Sequence, residues 1–304
     1  MTHTYITILI MACAMAIFHL LFYAVKSLKE REDFSTINAR VKTWWGMLGV
    51  FAIATLFNPT ISLISILFLS FFALKEFFSM ITTRKVDRQL FWWAYLAIPI
   101  QFYWISIEWY GMFIVFIPVY VFLFLPLPRI IGNGTVGFLR SVSSTQWGIM
   151  LMVFGLSHLA YYQVANPIYG ANLVLFLVVL TQANDVVQFL VSIFLGKKRV
   201  IPSAHPNITW EGFLLSLMTT TALSTSLYSY LTPLDLKFGI LSGVIISLSG
   251  FLGNLTIWVL KRDLLIGNAE KFQKLKESYL TRVDSLTYSA PIFFHVIRYY
   301  FDFM

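Results

Sequence analysis

The sequence predicts an all-α, polytopic integral membrane protein with about ten transmembrane helices, and three observations carry that prediction. Hydrophobic residues make up 58% of the 304 positions and charged residues only 12%. The apolar residues come in successive blocks of roughly 17–25, the length that crosses a bilayer as a helix. The basic residues gather in alternate loops between those blocks, as expected of a chain that crosses repeatedly. A mean hydropathy of +0.76 agrees and excludes an ordinary soluble domain.

In order, the candidate spans are 4–25, 43–58, 61–81, 90–107, 110–127, 146–165, 171–196, 212–231, 238–260 and 285–303. The first lacks a basic start and carries its positive charges after the apolar run, so it reads as a helix and not as a signal peptide. The single cysteine, Cys13, falls within it, which rules out an intramolecular disulfide and suggests a small packing residue. Trp44–Trp45, Trp92–Trp93 and Trp109–Tyr110 lie close to expected helix ends, where amphipathic rings sit at headgroup level. In span nine Gly239, Gly243 and Ser247 recur every fourth residue, a seam that lets helices approach closely. For description, residues 1–145 form the N-terminal transmembrane helices and 146–304 a C-terminal transmembrane region.

Net charge is +8, but its placement says more than its size. Lys26, Lys29, Arg31, Arg40 and Lys42 follow span one, Arg84, Lys85 and Arg88 follow span three, and Arg129 and Arg140 follow span five. Lys197, Lys198 and Arg199 follow span seven, and Lys261, Arg262, Lys271, Lys274, Lys276 and Arg282 follow span nine, so 19 of the 22 basic residues lie after odd-numbered spans. Those loops are therefore expected in the cytoplasm and both termini outside. The basic balance reports topology and anionic headgroups, and calls for no nucleic acid.

The polar residues at membrane depth raise the question of function. "TQANDVVQF", residues 181–189, sets Thr181, Asn184, Asp185 and Gln188 on one helical face, because three- and four-residue steps nearly complete a turn. An ionised carboxylate at that depth is disfavoured by roughly 2.5–3.5 kcal/mol on insertion scales. The face must line a hydrogen-bonded helix contact, a cavity or a site, and a pathway for a transported solute is a further reading. Glu76, beside Lys75 near a span end, reads as an interfacial charge, and His158 as a hydrogen-bonded core residue or a proton relay.

From residue 196 the chain reads "GKKRVIPSAHPNITWEGFLLSL", then "GFLGNLTIWVLKRD", then "LTRVDSLTYSAPIFF". With "RVKTWWG" at 40–46 and "SFFALKEF" at 70–77, it resembles the phosphatidate cytidylyltransferases, membrane enzymes that make CDP-diacylglycerol and pyrophosphate from CTP and phosphatidic acid. The resemblance is collinear over most of the chain. It implies phospholipid biosynthesis in a bacterial cytoplasmic membrane, a site facing the cytoplasm, phosphatidic acid or a related anionic lipid and CTP as partners, Mg2+ as cofactor, and a homodimer. Asn184 and Asp185 match the family's Asn-Asp pair, and the resemblance implies that with Asp284 they form the catalytic set, Asp185 and Asp284 being the expected metal ligands. Thr209, Glu211, Lys261, Arg262 and Arg282 fall at substrate-binding positions.

The chain departs from the family pattern where charge matters most. Gly253 and Asn254 stand for Gly-Asp, and Thr281, Arg282, Val283, Asp284 and Ser285 for Asp-Arg-x-Asp-Ser, so two of three expected metal carboxylates are neutral. His205 to Gly212 replace an element with a serine and a phosphate-binding lysine. "DLLIGNAEKFQKLKESYLT" replaces a glycine-rich turn at equal length, and Phe272, Leu275 and Leu280 give it the spacing of an interfacial amphipathic helix. The expected function is a divergent homologue with nucleotidyl transfer reduced or lost and no cofactor needed in the inactive case. The alternative is a non-catalytic lipid-binding or partner protein, a pseudoenzyme on the same fold.

Overall fold

A computed structural model describes residues 4–13, 15–16, 19, 33–81, 87–131, 136–202, 208–264 and 283–301. The helices among them are α1 Thr4–Cys13, α2 Asp33–Leu56, α3 Pro59–Met80, α4 Arg88–Ser106 and α5 Tyr110–Ile131. They continue as α6 Phe138–Ala165, α7 Gly170–Phe194, α8 Trp210–Leu231, α9 Leu236–Leu264 and α10 Leu286–Tyr300. Each expected span after the first thus has a helix at its place, and α1 covers the start of the first, most of whose remainder lies outside the described residues. Five of them, α3, α5, α6, α7 and α9, are long and apolar enough to cross a membrane. α8 is as long but rich in Ser and Thr, and α10 has only 15 residues. The sole pairing of extended backbone among the described residues is an isolated bridge between Arg199 and Thr209.

Local sequence explains several boundaries. Between α2 and α3 the Asn58 side chain accepts from the Ile61 amide at 2.9 Å and Pro59 opens the helix, an N-cap followed by a residue whose missing N–H costs nothing there. Within α5, Pro118 lies in a π-helical segment, Phe116–Val121; a proline without a donor favours the wider turn. A second π segment, Ile149–Gly155, interrupts α6 and packs against the first.

α7 is the central post, packed on α2, α6, α8, α9 and α10. Beside it, the rings of Phe113, Phe154, Phe294 and His295 pack around His158, whose Nδ1 meets the Phe154 carbonyl at 2.7 Å. His158 is a hydrogen-bonded core residue. The small-residue seam also packs as expected: a Cβ at Gly243 would lie 2.6 Å from Thr221 Cα on α8. Close backbone approach substitutes for side-chain volume there, as between membrane helices. Trp92, Trp93 and Trp109 are more than half exposed, in keeping with a headgroup belt. Cys13 departs from expectation: it is exposed on α1, since the residues packed inward from α1 are Thr4 and Thr7.

Candidate functional site

The site begins with the polar stripe of α7, whose Thr181, Asn184 and Gln188 are buried and whose Asp185 is half-buried. These side chains turn to α8, α9 and α10. Asn184 Oδ1 accepts from Ser247 Oγ on α9 at 2.6 Å and from Thr220 Oγ1 on α8 at 3.3 Å. Both oxygens of Asp185 lie 2.8 Å from Ser285 Oγ at the start of α10, and one hydroxyl proton is shared between them. Thr181 Oγ1 donates to the Leu177 carbonyl at 2.7 Å and lies 3.4 Å from Ser289 Oγ. The stripe is thus a hydrogen-bonded helix contact along one edge.

Along the other edge it is more than that. Asn184 Nδ2, Gln188 Nε2 and Asn254 Oδ1 are buried without a hydrogen-bond partner among the described residues. An unsatisfied buried group costs about 1–3 kcal/mol, and these two donors and one acceptor lie on α7 and α9, the helices that carry the stripe and its neighbour. α9 supplies the framework: Gly250 brings its backbone beside Asn184 and Ser285, and Asn254 follows one turn later.

Lys261 and Asp284 close the site. Lys261 Nζ stands 3.3 Å from Asp284 Oδ2, with side-chain exposures of 2% and 1%. Asp284 is brought there because Gly253 allows contact between backbones: a Cβ at 253 would lie 2.6 Å from the Asp284 carbonyl oxygen. Ser285, next in the chain, reaches Asp185, so the two acids belong to one assembly. Among the described residues no group of three or more His, Cys, Asp or Glu side chains is placed to hold a metal ion.

Thr209 and Glu211 take local roles. Thr209 caps α8, accepting from the Gly212 amide at 3.2 Å, and donates to Ser192 Oγ at 3.2 Å. The Glu211 carboxylate accepts from the amides of Lys197 at 3.1 Å and Lys198 at 3.2 Å. Its own backbone amide first, and then those of Lys197 and Lys198, hold its carboxyl below the ordinary value. Lys197, Lys198, Arg199 and Arg262 are exposed and give this end of the site a basic rim. Thr281, Arg282 and the expected amphipathic helix lie outside the described residues, as do His205, Pro206 and Asn207.

The structure therefore brings together Asn184, Asp185, Asn254, Lys261 and Asp284 from elements far apart in sequence. Sequence reasoning missed Ser285, Ser247 and Thr220 as partners and left Gln188 out of the site. Ser285 had a visible signal, since it directly follows Asp284. Hydroxyls on Ser- and Thr-rich helices carry no such signal.

A family model described as the cytidylyltransferase family matches residues 38–300, from α2 through α10. The chain is 34% identical over 275 residues to uncharacterized protein YnbB of Escherichia coli (strain K12), covering 90% of each chain. It is 28% identical over 138 residues to a phosphatidate cytidylyltransferase of Chlamydia muridarum, covering 43% of this chain and 45% of that one. A phosphatidate cytidylyltransferase of Mycobacterium leprae is 29% identical over 123 residues, covering 40% of this chain and 39% of its own. The matched stretch is thus less than half the length of these two enzymes. With the family match running through every helix that builds the site, this chain belongs to the cytidylyltransferase family.

Proposed function

We propose that this chain is a divergent membrane cytidylyltransferase homologue whose polar site holds the phosphate of phosphatidic acid or a related anionic lipid, with transfer from CTP strongly reduced. One observation carries the reading: the buried pairing of Lys261 with Asp284 at 3.3 Å. The ammonium already balances the one carboxylate that remains of the family's terminal pair. In the transfer reaction a phosphatidate oxygen attacks the α-phosphorus of CTP, a new P–O bond forms, and the bond to pyrophosphate breaks. Charge grows on the phosphoryl oxygens and must be offset by cations.

The residues present suit one Mg2+ ion. Asp185, Asp284 and the unpartnered Asn254 Oδ1 are hard oxygen donors of the kind that ion takes beside substrate phosphates. Bound there, it would neutralise developing charge on the phosphoryl oxygens. The chain's own groups do the remainder: Asn184 Nδ2 and Gln188 Nε2 offer hydrogen bonds to phosphate oxygens, and Lys261 gives a fixed positive charge. Asn254 and Thr281 add no formal charge. If each missing carboxylate supplied about 3 kcal/mol in the transition state, two would slow turnover by more than about four powers of ten.

In this reading all ten helices cross the bilayer, with the basic loops in the cytoplasm, both termini outside, and the site open to the cytoplasmic side of a bacterial inner membrane. The non-catalytic alternative keeps the same lipid site and differs only in turnover. Purified protein with labelled CTP, magnesium and phosphatidic acid provides the test. The expected result is no CDP-diacylglycerol above the level of an Asp284→Ala variant; clear excess overturns the reduced-transfer reading.

A further inference from the structure

We infer that the cleft between α5, α6 and α10 seats an acyl chain of the lipid whose phosphate is held at the polar site, an inference that rests on the phosphate-binding reading above. The cleft measures about 760 Å³ and is walled by apolar side chains, among them Phe122, Met150, Phe154 and Ile292. That volume lies within the range of about 300–1,000 Å³ typical of small-ligand sites. Two other apolar clefts, of about 310 Å³ and about 470 Å³, occur among the described residues. The smaller lies behind α7, against Gln182, Ala183, Val186 and Val187, on the helical face opposite the polar stripe. The other lies between α4 and α5 and touches no element of the site.

The cleft on α10 shares that helix with the polar site. Thr287 and Tyr288 line it, while Thr287 Oγ1 donates to the Asp284 carbonyl at 2.7 Å. Tyr288 also packs against α9 at Gly253. One turn of chain therefore carries Asp284 toward α9, Ser285 toward Asp185 on α7, and the cleft wall toward α5 and α6. A second, independent feature marks the same place: the two π-helical segments, Phe116–Val121 and Ile149–Gly155, both contribute to the walls. Such segments widen a helix locally and are frequent at functional sites.

A chain leaving the bilayer for this cleft exchanges one hydrocarbon environment for another, so little hydrophobic gain arises. The cleft therefore discriminates by length and shape, and the phosphate site supplies the hold. The test uses full-length protein in detergent, loaded with phosphatidic acid bearing a photoactivatable acyl chain, with adducts located by peptide mass spectrometry. Adducts are expected on the segments around Met150 and Ile292. Met150→Trp, and separately Ile292→Trp at a more exposed wall position, should cut them roughly tenfold, about 1.4 kcal/mol, while Leu96→Trp in the α4–α5 cleft should not. Adducts spread evenly over the helices, or unchanged in both filled variants that elute as folded protein, overturn the inference. A parallel arm carries the same chain on uncharged diacylglycerol. Equal labelling by both probes would overturn the phosphate reading and leave the cleft standing as a chain site.

Discussion

Lys261 and Asp284 form a buried ion pair beside a close backbone contact between Gly253 of α9 and the Asp284 carbonyl. Removing charge from water is costly, and a buried pair is stable only while each partner answers the other. Asp284→Ala should therefore destabilise the protein by about 3–5 kcal/mol, the usual consequence of removing one partner of a buried ion pair. The double variant Lys261→Met, Asp284→Leu should recover most of that loss. Denaturation in detergent micelles measures both, and an Asp284→Ala protein as stable as the parent would show that the pair does not hold the site together.

Gly253→Ala tests the backbone contact itself. Its Cβ would meet the Asp284 carbonyl at 2.6 Å, against main chain that cannot swing aside, whereas a Cβ at Gly49 meets nothing within 4 Å. Overpacking of this kind costs about 1–3 kcal/mol. Gly49→Ala, in the middle of α2, should be neutral or stabilising by up to about 1 kcal/mol. Equal unfolding midpoints for the two variants would contradict the tight crossing.

Glu211 gives a pH dependence with a definite sign. Its carboxylate is held below the ordinary value of 4.5 by its own backbone amide and those of Lys197 and Lys198. The folded form is thus favoured while the group is ionised: its contribution is fully present above 4.5 and is lost as pH falls through the lower, folded value. Glu211→Gln should loosen the 197–199 segment at neutral pH, seen as faster amide exchange at Lys197 and Lys198. The difference from the parent protein should vanish once the medium is acid enough to protonate Glu211. A difference that persists there would assign the effect to something other than charge.

Much of this architecture was legible from residue order alone. The stripe Thr181–Asn184–Asp185–Gln188 was visible because helical period alone places those residues on one face, and the seam Gly239–Gly243–Ser247 because small residues at that spacing have one main use between membrane helices. The pairing of Lys261 with Asp284 was not legible. Lys261 could be read as one of many loop charges, and only the fold shows it buried at the end of α9. Thr209 and Glu211 fall at substrate-binding positions by resemblance, and in the fold Thr209 caps α8 while Glu211 accepts from two loop amides. Short polar side chains satisfy local backbone as readily as a ligand, and sequence does not separate the two uses. The number of crossings stayed open for a related reason, since Ser and Thr in α8 lower its apolarity while bonding within the bundle, as Thr220 does to Asn184.

Restoring charge to the site offers the last prediction. Asn254 Oδ1 is buried without a hydrogen-bond partner among the described residues, so Asn254→Asp adds a third carboxylate to Asp185 and Asp284 at a position whose oxygen has no competing donor. Without metal the new carboxylate is partly compensated by Lys261 and still desolvated, so the variant should be less stable than the parent. Adding Mn2+ as a spectroscopic stand-in for magnesium should reverse that order, because an ion bound only by the folded form stabilises it by about 2.7 kcal/mol at a hundred times its Kd. Combining Asn254→Asp with Thr281→Asp should tighten Mn2+ binding by roughly tenfold or more, about 1.4 kcal/mol or beyond, over the parent chain. Electron paramagnetic resonance reads the affinity and thermal unfolding reads the reversal. If metal leaves both variants as unstable as before, Asp185, Asp284 and Asn254 do not converge on a common point, and the metal-binding reading of this site fails with them.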